Sequence, residues 1–524
     1  MRLLPAVALS LMAAAAPAQE ADRAARWWAD IAAIADDRTE GRQVGSPGYM
    51  LAAEHVVARL KAIGLSPAGE RGGWFQQVAL EEQRVDYPAS TAALVGADGR
   101  EQPVALGEAM LVSAGSGPRP RTVDAPLVFI GYGLRLPKFG HDDLAGIDLK
   151  GKIAVVIAGG PADLPAPAKA ANRNERLKNL AAAGAVGLIT LTPPRQIEIP
   201  WARQKLLSPA PGMYLADAAL RDAPDGMFIG SFDPGQSERL FAGAPRRFTE
   251  LAALSDASQP MPRFALPLRL KATLATRTRR LTLPNIVAKL EGSDPALRAE
   301  HVVLSAHLDH IGVGAPIGGD RIYNGAMDDA SGVASILDIA EQLTRGPRPK
   351  RSILTVFVTA EEKGLLGSTY FARRPTVPRA GLVADLNFDM SLPLWPLREL
   401  LVQGDGESTL GDAARAVAAR RGLALVPDPL PNRNSFVRTD QYSFVRAGIP
   451  ALAFKFGFRP GTPEFRIEGE WRANRYHSPA DDLNQPGVLR DEAIKLNDYV
   501  ADLTRAVADA PERPTWLATS VFRP

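Results

Sequence analysis

The second half of the chain alternates short apolar runs with amphipathic stretches. Asn285 to Leu290 and Val302 to Ser305 read as strands. Ser331 to Leu343 reads as a helix, with Val333, Ile336, Leu337, Ala340 and Leu343 along one face. Ile353 to Thr359 reads as a strand, Gly364 to Ala372 as a helix, and Val383 to Phe388 as another strand. Alternation of this kind predicts an α/β fold, a mixed and mostly parallel sheet sandwiched by helices. In open sheets of that class the active site lies beyond the carboxyl ends of the strands.

Upstream the texture differs. Asp22 to Ala35 reads as a helix with Asp22 as N-cap, and Gly48 to Ile63 as a second helix stopped by Gly64. Leu51, His55, Val56, Leu60 and Ile63 recur at helical spacing there, which makes His55 a packed helix residue. Residues 100–255 carry short strands at Leu127–Ile130, Ile153–Ile157 and Val186–Leu191, with a helix from Arg176 to Ala183. Proline and glycine clusters at 159–167 and 193–211 mark loops. His141-Asp142-Asp143 reads as a polar loop, and nothing in this stretch forms a catalytic constellation.

The 524 residues predict two or three domains, and 46% hydrophobic content suffices for sizeable cores. Residues 1–18 have a short basic start at Arg2, an apolar run from Leu3 to Ala15 and the small residues Ala16-Pro17-Ala18 before Gln19. That is the pattern of a cleavable signal peptide, so a secreted or periplasmic protein without a stable membrane span is expected. The formal net charge is only +3, with no dense Lys/Arg run, which argues against nucleic acid. Cysteine is absent, which excludes disulfides, thiolate ligands and cysteine nucleophiles.

With only six histidines in the chain, Ala306-His307-Leu308-Asp309-His310 stands out, because two of them follow a buried strand. Asp328-Asp329, Glu361-Glu362, Asp389 and His477 add carboxylates and one more imidazole. Sparse histidines with carboxylates at strand ends describe a nitrogen/oxygen metal site, best suited to zinc. His307, Asp328, Glu362, Asp389 and His477 supply the inventory for two zinc ions. Two imidazoles, three carboxylates and one hydroxide would balance their charge. Asp309, two residues beyond His307, can approach the imidazole and fix its tautomer. Glu361 is left as a general base.

Five motifs in this order resemble the M28 family of zinc aminopeptidases: Ala306–His310, Asn324–Gly332, Thr359–Gly364, Asn387–Met390 and Tyr476–Pro479. The resemblance implies the zinc-peptidase fold and two Zn²⁺ per chain. It implies His307, Asp328, Glu362, Asp389 and His477 as ligands, Asp328 as the bridge, Glu361 as the base and His310 as a non-ligand. Tyr476 matches a tyrosine that stabilises an oxyanion in some relatives, packing being the alternative. Met327 departs from the family, where many relatives have an acidic residue. The middle segment resembles a protease-associated domain through Val128–Gly133, Asp148–Lys152 and Ala181–Gly187.

The expected organisation is a signal peptide at 1–18 and a first peptidase segment at 19–99. A protease-associated domain at 100–255, the main peptidase segment at 256–510 and a tail at 511–524 follow. The function this implies is removal of N-terminal residues from peptide substrates. A carboxypeptidase is an alternative, with Arg433, Arg438 and Arg446 as candidates for a substrate carboxylate. A glutaminyl cyclase or a non-catalytic receptor are others.

Overall fold

The computed structural model describes residues 6–112, 118–119, 121–197, 199–208, 210–222, 224–433 and 435–523, without side chains at 6–19, 207 and 432. Residues 1–5 of the expected leader lie outside the described residues, and 6–18 enter only as backbone of the helix Ala6–Ile34. That helix begins well before Asp22, so Asp22 is not its N-cap. The alanine-rich run ahead of it continues the helical backbone without a break.

The chain divides into two compact units, one comprising residues 1–77, 283–429 and 438–524, the other 78–282 and 430–437. In the first, a sheet runs in the order Leu283–Leu290, Ser352–Val358, His301–His307, Leu382–Asn387, Ala451–Phe456, Glu399–Gln403, Ala424–Leu425. The four strands from Ser352–Val358 to Ala451–Phe456 are mutually parallel, and the two strands that flank the four run antiparallel to them. Every residue of Ser352–Val358, His301–His307 and Leu382–Asn387 is buried, as strands covered on both faces must be. The expected α/β class with a mixed, mostly parallel sheet is therefore the one observed.

Helices Ala6–Ile34, Ser331–Arg345 and Arg490–Asp509 pack together. Trp27 Nε1 donates to Ser335 Oγ at 3.0 Å, and Arg23 bridges Asp338 and Asp498. Helix Pro47–Ile63 is capped by Ser46, whose side chain accepts from Tyr49 N, and ends at Gly64 in the left-handed region. Its buried face is Tyr49, Ala52, Ala53, Val56, Val57 and Leu60, whereas Leu51 is 49% exposed. His55 is half-buried with Nε2 2.9 Å from Asp30, consistent with a packed helix residue.

The second unit holds an eight-stranded sheet in the order Glu101–Pro103, Thr91–Gly96, Phe264–Thr273, Thr122–Phe129, Ile153–Ile157, Gly187–Leu191, Phe228–Phe232, Met110–Val112. Phe129, Phe241 and Phe248 belong to its own apolar core. This unit is wider than the 100–255 segment expected above. Its one long helix, Ala166–Ala182, starts ten residues before the expected Arg176.

Beneath the carboxyl ends of the first unit's strands lies a fully buried cation. Arg42 donates from Nε to Leu308 O at 2.7 Å, from Nη2 to Gly325 O at 3.0 Å and from Nη1 to Asn324 O. Burial lowers its pKa to about 10, opposed by Asp328, Asp481, Asp309 and Asp329, so it stays charged at neutral pH. Gly41 beside it has φ +63 and no room for a side chain, since a Cβ would meet Tyr323 O at 2.2 Å. A planar fork serves several carbonyls at once, which one ammonium cannot. Arg42→Lys is expected to destabilise the protein by about 2–4 kcal/mol, because buried carbonyls lose their donors. Denaturant titration checks this, and an unchanged midpoint would count against the cradle.

Candidate metal centre

Adjacent strand ends and two loops bring the chemistry together. His307 ends the strand His301–His307 and pairs in register with Val358. Glu361 and Glu362 follow Ser352–Val358, and Asp389 follows Leu382–Asn387. Asp328 comes from Ala326–Ala330, just ahead of helix Ser331–Arg345, and His477 from the segment after Pro463–Asn474.

His307 Nε2 lies 3.1 Å from Asp328 Oδ1, and His307, Asp328 and Asp389 each bring one ligand atom within 4.8 Å of the others. His310, Asp328 and Glu362 form a second such group. His477 Nε2 is 3.3 Å from Asp328 Oδ2 and 3.2 Å from Glu362 Oε2. Asp328 therefore belongs to both groups. All five expected ligands converge, and His310 joins them.

The donor set fits zinc. His307 Nε2, Asp328 Oδ2, Glu362 Oε1, Asp389 Oδ1 and both ring nitrogens of His310 are buried without a hydrogen-bonding partner. Native interiors rarely leave so many polar atoms unmet, and a cation site is the ordinary reason. Imidazole and carboxylate without thiolate is a zinc-compatible set.

The electrostatics agree. Burial opposes charge on His307, yet Glu361, Asp328 and Asp329 hold its pKa well above the ordinary value. Burial would raise Asp328, but His307, His310 and His477 keep it well below the usual range. Glu362 is likewise lowered, burial being outweighed by His477 and His310. Glu361 is pushed well up by burial, with Asp440, Glu362 and Asp389 adding to the shift against His307. The pocket draws positive charge wherever it can find it.

A surrounding layer fixes these groups. His307 Nδ1 faces the backbone carbonyl of Asp309 at 3.0 Å, while the Asp309 carboxylate is 4.0 Å away. That carboxylate instead accepts from Glu361 N at 3.1 Å and Glu362 N at 3.3 Å. Asp309 thus serves His307 through its main chain and the two glutamates through its side chain. Asp481 accepts from Met327 N at 2.9 Å and Asp328 N at 3.0 Å. Asp329 accepts from Gly332 N and Met390 N. Lys455 Nζ donates to Asp389 O at 2.8 Å. Ala360, Met390 and His477 have φ of 58, 50 and 51°, a left-handed conformation that side chains adopt at a cost of about 1–3 kcal/mol. Strain is concentrated beside the ligand candidates.

The Tyr476 ring stacks on His477 with centroids 3.8 Å apart, the Arg472 guanidinium lies 5.1 Å from the Tyr476 centroid, and burial raises its phenol pKa. Met327 is fully buried, so an apolar side chain suits its position. His141 lies apart from this centre in sequence, with Nε2 3.0 Å from Asp143. Arg433 falls in the 430–437 segment of the second unit, whereas Arg438 and Arg446 belong to the first.

Arg42, Asp481 and Lys455 were not assigned a place in the site from sequence. Asp481 had a signal in its position four residues after His477. Lys455 and Arg42 had none, being distant in sequence from the residues they serve.

Residues 285–503 match peptidase family M28. The "Probable leucine aminopeptidase 2" of Aspergillus fumigatus is 30% identical over 233 residues, 41% of this chain and 42% of that protein. Its namesake from Aspergillus oryzae is 35% identical over 258 residues, 45% of this chain and 47% of that one. The chain thus spans less than half the length of these curated relatives. Among solved structures, the aminopeptidase from Aneurinibacillus sp. strain AM-1 shares the fold. Its TM-score is 0.52 at 19% identity, covering 94% of this chain and 95% of that one. The five motifs, the converging imidazoles and carboxylates and these likenesses point the same way, and the match to peptidase family M28 runs over residues 285–503.

Proposed function

We propose that the protein is a secreted or periplasmic dinuclear zinc aminopeptidase that removes N-terminal residues from peptides. The observation that carries this reading is the pair of ligand groups sharing Asp328, with unmet atoms in both. His307, Asp328 and Asp389 would hold one ion, and Asp328, Glu362 and His477 the other. When bound there, zinc supplies a Lewis acid for the scissile carbonyl and lowers the pKa of a coordinated water.

The chain's own groups do the rest. Glu361 takes a proton at its carboxylate and passes it to the leaving amine. Its backbone N–H is held by Asp309, which fixes the base relative to Glu362. Tyr476, kept protonated by burial and seated on His477, donates to the oxyanion that develops at the carbonyl. The relatives' printed names support an aminopeptidase, and the pattern of residues 1–18 supports export. Among the described residues, no helix is long and apolar enough to cross a membrane. The second unit, with its own apolar core, is in this reading an inserted protease-associated domain.

The purified protein should hold up to two zinc ions per chain. His307→Ala or Asp389→Ala should lower that content and abolish hydrolysis of aminoacyl-arylamides. Full activity in an exhaustively chelated sample would sink the reading.

The two adjacent glutamates should behave differently. Glu361→Gln keeps size and hydrogen bonding but removes the proton acceptor, and general-base contributions run to about 10²–10⁴-fold. That variant should retain its metal and substrate affinity, yet turn over at least about a hundredfold more slowly. Glu362→Gln should weaken metal binding itself. Metal stoichiometry alongside kcat separates them, and loss of zinc from Glu361→Gln with high residual turnover would reverse the assignment.

A further inference from the structure

His310 lies between the expected ligands without a role of its own. It is fully buried, three residues beyond His307, and neither ring nitrogen has a hydrogen-bonding partner. Nδ1 comes within 2.8 Å of Glu362 Oε1 and 3.9 Å of Asp328 Oδ2. The shorter approach has the distance of a hydrogen bond without its alignment, since both atoms remain unmet. His310 and His477 meet edge to face with ring centroids 5.9 Å apart, so two imidazoles stand beside Glu362.

The fold also makes room for this ring. His310 N donates to Arg42 O at 3.3 Å, which ties its backbone to the buried cradle. Gly325 lies against the imidazole, with φ +62, and a Cβ there would come within 2.5 Å of its Cγ and Cδ2. A glycine that leaves this space, and a buried Nδ1 without a partner grouped with ligand atoms of Asp328 and Glu362, suit a metal ligand.

We propose that His310 is a further ligand, through Nδ1, at the position held by Asp328, Glu362 and His477. This rests on the dinuclear reading above. One position would then carry two imidazoles and the other, with His307, Asp328 and Asp389, a single one. The richer position should retain its ion longer and favour zinc or cobalt over the harder manganese and magnesium.

The test compares metal binding by the intact protein with that of H310A and H310N. An asparagine amide can still donate a hydrogen bond to Glu362 but is a poor zinc ligand, so it separates coordination from positioning. Competition with a chelator should show both variants holding the second zinc at least about a hundredfold more weakly. That lies at or beyond the roughly 10–100-fold typical of losing a group that only orients a ligand. Both variants should also alter the visible spectrum of the cobalt-loaded protein.

Isotope-labelled histidine in the unaltered, cadmium-loaded protein gives an answer independent of variant folding. Three imidazoles should show coupling to the metal. Coupling to only two, or an H310N variant with wild-type affinity and cobalt spectrum, would overturn the proposal. A wild-type protein that binds fewer than two ions would instead overturn the dinuclear reading on which it rests.

Discussion

An excess of buried carboxylate governs the first unit. Asp309, Asp328, Asp329, Asp389, Asp440 and Asp481 are buried close to Glu361 and Glu362. Among the described residues, cations set against this interior include Arg42 and the half-buried Lys455. Both spend their donors mainly on backbone carbonyls. His307 and His477 are pulled toward protonation, and Asp440 is pushed up to about 7 by burial. Isolated charges in a protein interior are costly, and such groups pair, neutralise or coordinate metal. On the reading proposed above, bound divalent cations would supply the positive charge that this interior lacks.

The scaffold's task is to hold that unfavourable concentration in place. Parallel strands, buried on both faces, deliver His307, Glu361-Glu362 and Asp389 at neighbouring carboxyl ends. The loops after them turn sharply, with left-handed residues at Ala360, Met390 and His477. Arg42 supplies the opposing restraint by gathering the carbonyls of Leu308, Asn324 and Gly325. Asp481 and Asp309 grip the backbone amides of the turns that carry Asp328, Glu361 and Glu362. Stability surrendered at the strained turns is offset by charge-assisted hydrogen bonds around them.

What could be read in the sequence follows from how local each signal is. An apolar strand ending in His307 is a local pattern, and so is an acidic pair directly after Ile353–Thr359. Both were legible, with the helix Ser331–Arg345 between them. Arg42 is 266 positions from the Leu308 carbonyl it holds, and no periodicity links the two. Asp309 appeared positioned to serve His307 with its carboxylate, but the turn after the strand aims that group at the glutamate amides. Leu51 fits the helical repeat of Pro47–Ile63, yet points outward, because alanines and Tyr49 form the packed face. The edges of the second unit were obscured because the strands Phe75–Val85 and Thr276–Leu290 run through them without a break.

Anomalous diffraction at the zinc edge from crystals of zinc-loaded protein tests the central claim most directly. Two peaks are predicted within one pocket: one bounded by His307 and Asp389, the other by Glu362 and His477, with Asp328 touching both. A single peak there, or zinc bound only elsewhere on the chain, would contradict the account of a carboxylate-rich interior organised around two ions.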